Sequence, residues 1–575
     1  MRFSQIILWL CLILAATPAF GQAVVLRPED VLPRLKEAAP EAFYINGHDV
    51  HGLSQEAAAT YYPLGDGAKY VLALLTLRLA DKGVISLDEP VAKALPDLMD
   101  FNPFEVAITP KHLLAETAGF AQLYNYVDSG LETAPLRYFM IKTRGAGQIA
   151  VHDPVGWQLL AAFLERKTGN TLVELVASEV LAPLAIDESA FEKAQAESPV
   201  FTPLAFHHMR GDGLARIFSL LAQNSQADGQ PYLQRTAWEY LASRPLWQVH
   251  PLGPARLAGL HMVKQDKHVW VENDETDCGF APKFLAFPTA GLVFVSLPGS
   301  DKYVECKVFS AIAARTGILQ IPPNWDEAAA MEAANQLVPA TQLDGLFECA
   351  DTASNIAFRI SRASVCHLKI SGSGPYDLQA SATSGTVTIS MDLEEIAPFA
   401  YEAKGVRANL FFSPYRAGGY AMVGGQAYVR VGVLGYFRTL AGKYIPLMIV
   451  ILLSGVLHVR SQTSVQWRRF GWFCIAGGGL VGTGLYADWH WWPTVLYELQ
   501  MPWVITLWRT GLNVGLMLLL ALPMLSFTFI RQQNMPEKGF ALLFAGPHLG
   551  LISLSAIGLF LTTIIWGVAG TFTAY

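Results

Sequence analysis

Four long apolar runs occupy the last quarter of the 575-residue chain, and they limit what this part of the chain can fold into. They cover residues 444–459, 470–486, 503–530 and 540–568. Such runs predict membrane-spanning helices, each of which needs about 20 apolar residues. The loop at 460–469 holds three arginines and the loop at 531–538 holds two basic residues, whereas 487–502 holds no Lys or Arg. The positive-inside rule therefore places the two basic loops in the cytoplasm.

The first 21 residues predict a secretory signal peptide. Arg2 precedes a short apolar run at 6–16, and small residues follow at Ala19 and Gly21. Because the run is shorter than a spanning helix requires, we expect cleavage near Gly21 and export of the domains that follow. This predicts a protein of a bacterial-type inner membrane, with its N-terminal domains in the periplasm or on the extracellular face.

The bulk composition fits this topology. Hydrophobic residues make up 52% of the chain and charged residues 15%, and the mean hydropathy is +0.30. A soluble protein usually carries about 25% charged residues. The net charge of -7 and the lack of long Lys/Arg runs argue against nucleic acid as a partner. The membrane lipid bilayer is the partner that the composition predicts.

Four cysteines lie in the part that is predicted to be exported: Cys278, Cys306, Cys349 and Cys366. In an oxidising compartment, nearest neighbours are the expected pairs, Cys278 with Cys306 and Cys349 with Cys366. Four reduced, buried thiols are the alternative. No Cys or His spacing indicates a metal site, and we expect no cofactor.

The chain between the two apolar ends divides into three segments. Residues 22–320 mix helical patterns with strand-like runs and form the first domain, and 321–342 read as a Pro-containing and Ala-rich linker. Residues 343–433 show short alternating segments punctuated by Gly and Ser, which predict a small all-β domain. Residues 434–575 form the predicted membrane domain of about four transmembrane helices.

An aspartate and a lysine lie close together at the start of an apolar helix in the first domain. The segment from Tyr62 to Lys69 reads Tyr-Pro-Leu-Gly-Asp-Gly-Ala-Lys and runs directly into apolar residues. This order resembles the serine β-lactamase and penicillin-binding-protein-like family, whose helix begins with Ser-x-x-Lys. Asp66 stands at the serine position, and Lys69 keeps the lysine position.

Further segments resemble this family in the right order. They are residues 108–120 (Thr-x-x-His-Leu-Leu-x-x-Thr-Ser-Gly in the family), 156–169 (the helix after the second motif), 182–186 (a Pro-Leu-Gly-Met turn), 211–216 (a later helix) and 278–288 (the strand region after the third motif). The resemblance covers roughly 62–318. It implies an α+β domain with an antiparallel sheet flanked by helices, as in β-lactamases and transpeptidases.

The aspartate removes the group on which the family's chemistry depends. In the family a serine hydroxyl attacks a carbonyl, and a lysine helps to take its proton. Asp66 has no hydroxyl, and its carboxylate favours the charged form of Lys69. Aspartate is also a good helix N-cap, which explains Asp66 without catalysis. Attack by its carboxylate would give an anhydride, so we do not expect a covalent role.

The second and third motifs depart from the family as well. The tyrosine of the second motif falls on Val151 or His152, depending on one gap in the alignment. His152 and Asp153 as an acid–base pair is one interpretation, and a structural histidine is the other. The lysine or histidine of the third motif falls on Asn273, within an acidic run at 272–277 where the family is rich in glycine and often basic.

Together these departures predict a catalytically degenerate, membrane-anchored domain that acts by binding or assembly in the cell envelope. The resemblance implies a peptidoglycan-type peptide as its ligand, with another envelope protein as the alternative. Two other functions stay open. One is a divergent hydrolase (an esterase, a peptidase or a β-lactam or peptidoglycan-type hydrolase) that uses Lys69, His152 and Asp66. The other is a subunit or sensor of a membrane complex, for which the exported domain is a scaffold.

Overall fold

The structure is a computed structural model that describes most of the two central domains and parts of the C-terminal region. The described residues are 27–98, 104–120, 136, 140, 142, 144–192, 203–205, 207–227, 229–265, 268–273, 281–298, 343–350, 366–372, 377–384, 387–397, 399–403, 409–412, 419–423, 426–431, 445–461, 465–490, 502–531 and 552–557. The predicted signal peptide, the predicted linker, Cys278 and Cys306 lie outside them.

The first domain contains eight α-helices and thirteen strands among its described residues. The helices are α1 (Pro28–Ala38), α2 (Gln55–Ala59), α3 (Gly67–Asp81), α4 (Pro110–Leu114), α5 (Pro154–Thr168), α6 (Leu172–Val176), α7 (Gly211–Ala222) and α8 (Arg235–Ala242). The strands are β1 (Ala42–Asn46), β2 (Asp49–His51), β3 (Tyr61–Pro63), β4 (Phe191–Glu192), β5 (His208–Arg210), β6 (Gln226–Ala227), β7 (Gln230–Pro231), β8 (Trp247–Gln248), β9 (Ala255–Arg256), β10 (His261–Gln265), β11 (His268–Glu272), β12 (Lys283–Phe287) and β13 (Leu292–Ser296).

An eight-stranded antiparallel sheet forms the centre of this domain, in the order β2-β1-β13-β12-β11-β10-β9-β8. The neighbouring inner strands β12 and β13 are buried at every position. Helix α1 packs on one face through Val31 and Leu35, and the main core with α3, α5 and α7 covers the other. The prediction of an α+β domain with an antiparallel sheet flanked by helices is confirmed.

Helix α3 lies in the middle of the main core. Twelve of its residues are buried, from Gly67 to Leu77 and at Leu79. A helix that is apolar on all sides is stable only when other elements surround it, which explains the continuous apolar run in its sequence. Gly259 lies against the first turn of α3, where its φ is +68° and an added Cβ would lie 2.7 Å from the carbonyl oxygen of Lys69. The start of α3, which carries Asp66 and Lys69, therefore packs closely against the backbone at Gly259.

The predicted small all-β domain is a closed eight-stranded antiparallel barrel. Its strands are β14 (Gly345–Cys349), β15 (Cys366–Gly372), β16 (Asp377–Ser384), β17 (Val387–Ala397), β18 (Ala400–Ala403), β19 (Asn409–Phe412), β20 (Tyr420–Val423) and β21 (Gln426–Val431), and β21 pairs with β14 to close it. The predicted disulfide between Cys349 and Cys366 is present, with Cα atoms 5.7 Å apart. It ties β14 to β15.

The outer wall of the barrel packs against the first domain. Phe411 and Met422 of the barrel form one buried cluster with Ile149 and Val151. The ring of Phe411 also stacks on that of His250, with centroids 5.7 Å apart. At the edge of this cluster the Arg144 guanidinium donates a hydrogen bond to the carbonyl oxygen of Ala350, and the hydroxyl of Tyr420 donates to Oε1 of Gln148 at 3.3 Å. The segment 144–151 is thus held by the barrel.

Three further helices follow: α9 (Ile445–Ser461), α10 (Val465–His490) and α11 (Pro502–Arg531). Within the described residues, no helix has both the length and the apolarity needed to cross a membrane. This does not bear out the predicted segment of about four transmembrane helices. Helix α9, for example, has 17 residues, and a span needs about 20. Most of the fourth predicted run, 540–568, lies outside the described residues.

Candidate functional site

The site is built around the amine of Lys69, which is buried on the first turn of α3. Its Nζ lies 3.2 Å from Oδ1 of Asp66, 3.0 Å from Oε1 of Glu116 and 3.0 Å from Nδ1 of His152. The side chains of Lys69, Asp66 and Glu116 are each no more than 5% exposed. Two carboxylates at this distance favour the charged ammonium form of the lysine.

Glu116 connects several parts of the site. Its Oε1 accepts a hydrogen bond from the indole Nε1–H of Trp157 at 3.1 Å, and its Oε2 lies 2.9 Å from the guanidinium of Arg256. Its backbone has φ +56°, a left-handed conformation that costs about 1–2 kcal/mol for a residue other than glycine. The surrounding contacts hold this conformation, and they place one carboxylate between two cations.

His152 is the most exposed member of the site, with 31% of its side chain accessible. An ammonium group has no lone pair, so Lys69 is the donor and Nδ1 of His152 the acceptor. The proton of the neutral imidazole is then on Nε2. In this tautomer Nε2 donates hydrogen bonds and cannot take a proton from a nucleophile.

Asp66 is at the N-cap position of α3 but does not act as the predicted cap. Its backbone is helical (φ -66°, ψ -16°) and its side chain makes no capping hydrogen bond. A side chain in the usual N-cap geometry extends from β-region backbone, which this residue does not adopt. The carboxylate lies beside Lys69 instead. The N-cap interpretation is therefore corrected, and the pairing of Asp66 with Lys69 is what the structure contains.

Asp153, directly after His152, is buried and has a shifted pKa. It is the N-cap of α5, with Oδ1 accepting from the amide of Gly156 at 2.8 Å. Its other oxygen, Oδ2, has no hydrogen-bond partner among the described residues. Burial, with the nearby charge of Glu116, raises the pKa of Asp153 to about 6. Burial also lowers the pKa of Lys142, whose charge acts on Asp153, to about 8.

Val151 and Asn273, the remaining positions predicted from the sequence, do not contact the Lys69 amine. Val151 points into the cluster beneath the barrel, and its amide donates to the carbonyl oxygen of Glu116 at 3.1 Å. Because successive side chains of an extended segment alternate in direction, Val151 faces the barrel while His152 faces Lys69. Asn273 joins two strands, since its Nδ2 donates to the Pro282 carbonyl and its Oδ1 accepts from the Phe284 amide. These bonds give Asn273 a structural role.

Glu116 and Arg256 belong to the site, although the sequence patterns did not single them out. Glu116 lies within the segment 108–120, where the neighbouring Leu113 and Leu114 are buried. A charged residue inside a buried segment is the signal that points to it, because a buried charge needs a partner. Arg256 is on the short strand β9, and nothing in its local sequence marks it.

Among the described residues, the group around Lys69 offers an ammonium, two carboxylates and an imidazole, which can bind and hold charge. Asp66 offers no hydroxyl at the serine position, Lys69 is held between two carboxylates, and His152 presents Nε2–H. Lys69 and Arg256 balance Asp66 and Glu116, so the buried group is neutral overall. A neutral, hydrogen-bonded network of this kind is stable as a unit and is costly to break.

Comparisons with known proteins find similarity to β-lactamases in the first domain. Residues 44–244 match the family model for beta-lactamase. Esterase EstB of Burkholderia gladioli is 28% identical over 163 residues, which cover 24% of this chain and 40% of the esterase. Acyltransferase mokF of Monascus pilosus is 30% identical over 160 residues, which cover 23% and 38%. The chain thus spans about two fifths of the length of the curated relatives it matches.

Solved structures of low sequence identity also match. The crystal structure of SurE with D-Leu is 16% identical. The match covers 70% of this chain and 99% of the SurE chain, with a TM-score of 0.45. The structure of the octameric penicillin-binding protein homologue from Pyrococcus abyssi is 14% identical. The match covers 70% of this chain and 98% of the homologue, with a TM-score of 0.38. Residues 44–244, which include the helix that carries Asp66 and Lys69, are thus similar to the β-lactamase family.

Proposed function

We propose that the β-lactamase-type domain is a non-acylating member of its family that acts by binding. One observation carries this proposal: the Lys69 amine lies between the carboxylates of Asp66 and Glu116, at 3.2 Å and 3.0 Å. The family reaction needs a hydroxyl nucleophile and a lysine that can accept its proton. At this site the position of the nucleophile holds a second anion, and the base is kept protonated.

The ligand of this domain is proposed to be a peptidoglycan-type peptide or another envelope protein. A binding role outside the cytoplasm is supported by the disulfide between Cys349 and Cys366, since disulfides persist in oxidising compartments. The partly exposed His152 is the part of the site that a ligand reaches first, and its Nε2–H would donate to a carbonyl oxygen of the ligand. Attachment to an inner membrane stays a prediction.

Labelling with active-site probes tests the proposal. The purified full-length protein is incubated with a fluorophosphonate and with a fluorescent penicillin, and covalent labelling is read on a denaturing gel. We expect no label above that of heat-denatured protein. Labelling of the native protein that disappears after competition with an unlabelled β-lactam would contradict the proposal.

A divergent hydrolase is the second candidate, and the contact between Lys69 and His152 at 3.0 Å favours it. If the Lys69 ammonium passed a proton to Nδ1 of His152, the free amine would be the base and the imidazolium the acid of an acid–base pair. Hydrolysis of p-nitrophenyl esters distinguishes this function from simple binding. Turnover that is lost in Lys69→Ala and retained in the variant Lys264→Ala, which changes a partly buried lysine of strand β10, would support it. Turnover that is unchanged in Lys69→Ala would exclude this site as its source.

A further inference from the structure

The interior of the barrel contains a buried hydroxyl that has no partner. Tyr401 on β18 is 0% exposed, and its hydroxyl makes no hydrogen bond with any described residue. Leaving a buried hydroxyl unsatisfied costs about 1–3 kcal/mol. Buried polar groups in native proteins nearly always have a partner, so this hydroxyl requires an explanation.

Tyr401 points into the barrel. It belongs to the same buried cluster as Phe347, Leu368 and Phe412, which lie on three other strands. Its ring meets the ring of Phe412 edge-on, with centroids 5.8 Å apart and planes at 87°. The preceding residue, Ala400, belongs instead to the cluster on the outer wall. This alternation places the orphaned hydroxyl inside the barrel.

A carboxyl group lies beside this hydroxyl on the neighbouring strand. Glu395 on β17 is directly opposite Tyr401 in the antiparallel register, as Leu393 is opposite Ala403. Residues opposite each other in a ladder point to the same face of the sheet. Leu393 and Ala403 are both buried in the barrel interior, so Glu395 faces the interior as well. Burial raises the pKa of Glu395, and burial together with the charge of Glu395 raises the pKa of Tyr401.

Several interior positions of the barrel carry small side chains. Ala380, Ala403 and Ala421 are buried interior positions on three different strands. Barrels of eight strands are wide enough either to be filled by side chains or to hold one small ligand. The unsatisfied hydroxyl of Tyr401 is the observation that favours a ligand.

We propose that the barrel interior binds a small, uncharged, apolar molecule with an amide or alcohol group. Its oxygen accepts the hydrogen bond of Tyr401, and its N–H or O–H donates to the carboxyl of Glu395. A carboxylate ligand is disfavoured because Glu395 would repel it. Among the described residues on this face, Arg430, opposite Phe347, is also charged, and its guanidinium donates to the carbonyl oxygen of Asp344. This site is separate from Lys69 and does not depend on the function proposed for it.

A photoprobe of the same chemistry tests the site on the purified full-length protein. Azioctanol, a medium-chain alcohol with a photoreactive diazirine, is cross-linked to the protein and mapped by mass spectrometry. We expect labelling of the peptides that contain β17 and β18, and competition by excess octanamide but not by octanoate. Labelling of these peptides that octanoate competes equally well would overturn the ligand class. If the peptides that contain β17 and β18 were not labelled, the proposed site would be wrong.

Two tyrosine variants make the test specific. Tyr401→Phe removes only the orphaned hydroxyl, and we expect about fivefold weaker competition by octanamide. Tyr420→Phe on the outer wall of the same barrel serves as the matched control and should leave competition unchanged. Without ligand, Tyr401→Phe should be as stable as the wild type or more so, because no hydrogen bond is lost. A clear loss of stability in ligand-free Tyr401→Phe would mean that Glu395 already satisfies the hydroxyl, and the proposal would fail.

Discussion

The carboxylate of Glu116 lies 3.0 Å from the amine of Lys69, and both side chains are only 3% exposed. A buried ion pair of this kind is sensitive to the removal of either partner, because the remaining charge then has neither water nor a counter-ion. The same carboxylate also contacts Arg256. Glu116 is therefore the residue on which both the stability and the chemical state of the site depend.

Glu116→Gln should destabilise the domain strongly. The substitution leaves the charges of Lys69 and Arg256 without one of their partners, and breaking a buried pair typically costs about 3–5 kcal/mol. Chemical denaturation followed by tryptophan fluorescence measures the effect, since Trp157 is buried beside Glu116. The control is Arg235→Ala, which breaks the exposed pair with Glu239 and should cost less than about 1 kcal/mol. Equal effects of the two substitutions would contradict the proposed network.

Asp66→Ser alone should not restore covalent labelling by a fluorophosphonate. It supplies the missing hydroxyl, but Glu116 still holds Lys69 in its charged form. Asp66→Ser/Glu116→Gln removes both carboxylates and lets the lysine lose its proton. General base catalysis contributes about 10²–10⁴-fold, so we expect the double variant to label at least about tenfold faster than Asp66→Ser. Asp66→Ala/Glu116→Gln, which has no hydroxyl, is the control. If Asp66→Ser labelled as fast as the double variant, Glu116 would have no such role.

The stability of the domain should fall as the pH rises from about 4 to about 6, because of Asp153. Burial raises its pKa from 3.8 to about 6 in the folded protein. In this window the folded state holds a proton that the unfolded state has released, so raising the pH favours unfolding. Asp153→Asn keeps a good N-cap for α5 and removes the titration. Between pH 4 and pH 7, the free energy of unfolding of the variant should increase by up to about 3 kcal/mol relative to that of the wild type.

Denaturation midpoints at several pH values measure this difference. Asp187→Asn provides a control of opposite sign, since hydrogen bonds from Ser189 lower the pKa of the exposed Asp187. A group with a lowered folded pKa adds stability above its unfolded pKa and loses it as the pH falls. As the pH rises, the stability of Asp187→Asn should therefore not increase relative to that of the wild type. An Asp153→Asn curve parallel to the wild type would contradict the burial of this charge.

Phe411→Ala should loosen the segment that carries His152. Phe411 packs on Val151 from the outer wall of the barrel, and deleting a buried phenylalanine side chain costs about 3–5 kcal/mol. We expect faster hydrogen exchange in residues 144–153. Phe412→Ala is the matched control, because the next residue along the strand points into the barrel interior. It should destabilise the barrel and leave exchange at 144–153 unchanged. The same increase in both variants would argue against a local effect of the interface.

The fold was predictable where local patterns decide it. The apolar run after Lys69 and the alternating segments after residue 343 indicated α3 and the strands of the barrel. The sequence did not decide which of Val151 and His152 enters the site, because that depends on which neighbour packs against each face of the segment. It also could not pair Glu116 with Arg256, since these residues are far apart in the sequence and meet only in the folded domain. The apolar runs near the C-terminus predicted membrane spans that the described helices do not provide.

The mass of the intact protein after exposure to a p-nitrophenyl ester tests the central claim most directly. A serine-type enzyme of this family would carry an acyl group on its nucleophile, at least transiently. We predict an unchanged mass at all times after mixing and after acid quenching, because Asp66 cannot form a stable ester and Lys69 stays protonated. A mass increase of one acyl group in the wild type that is absent from Lys69→Ala would contradict the account.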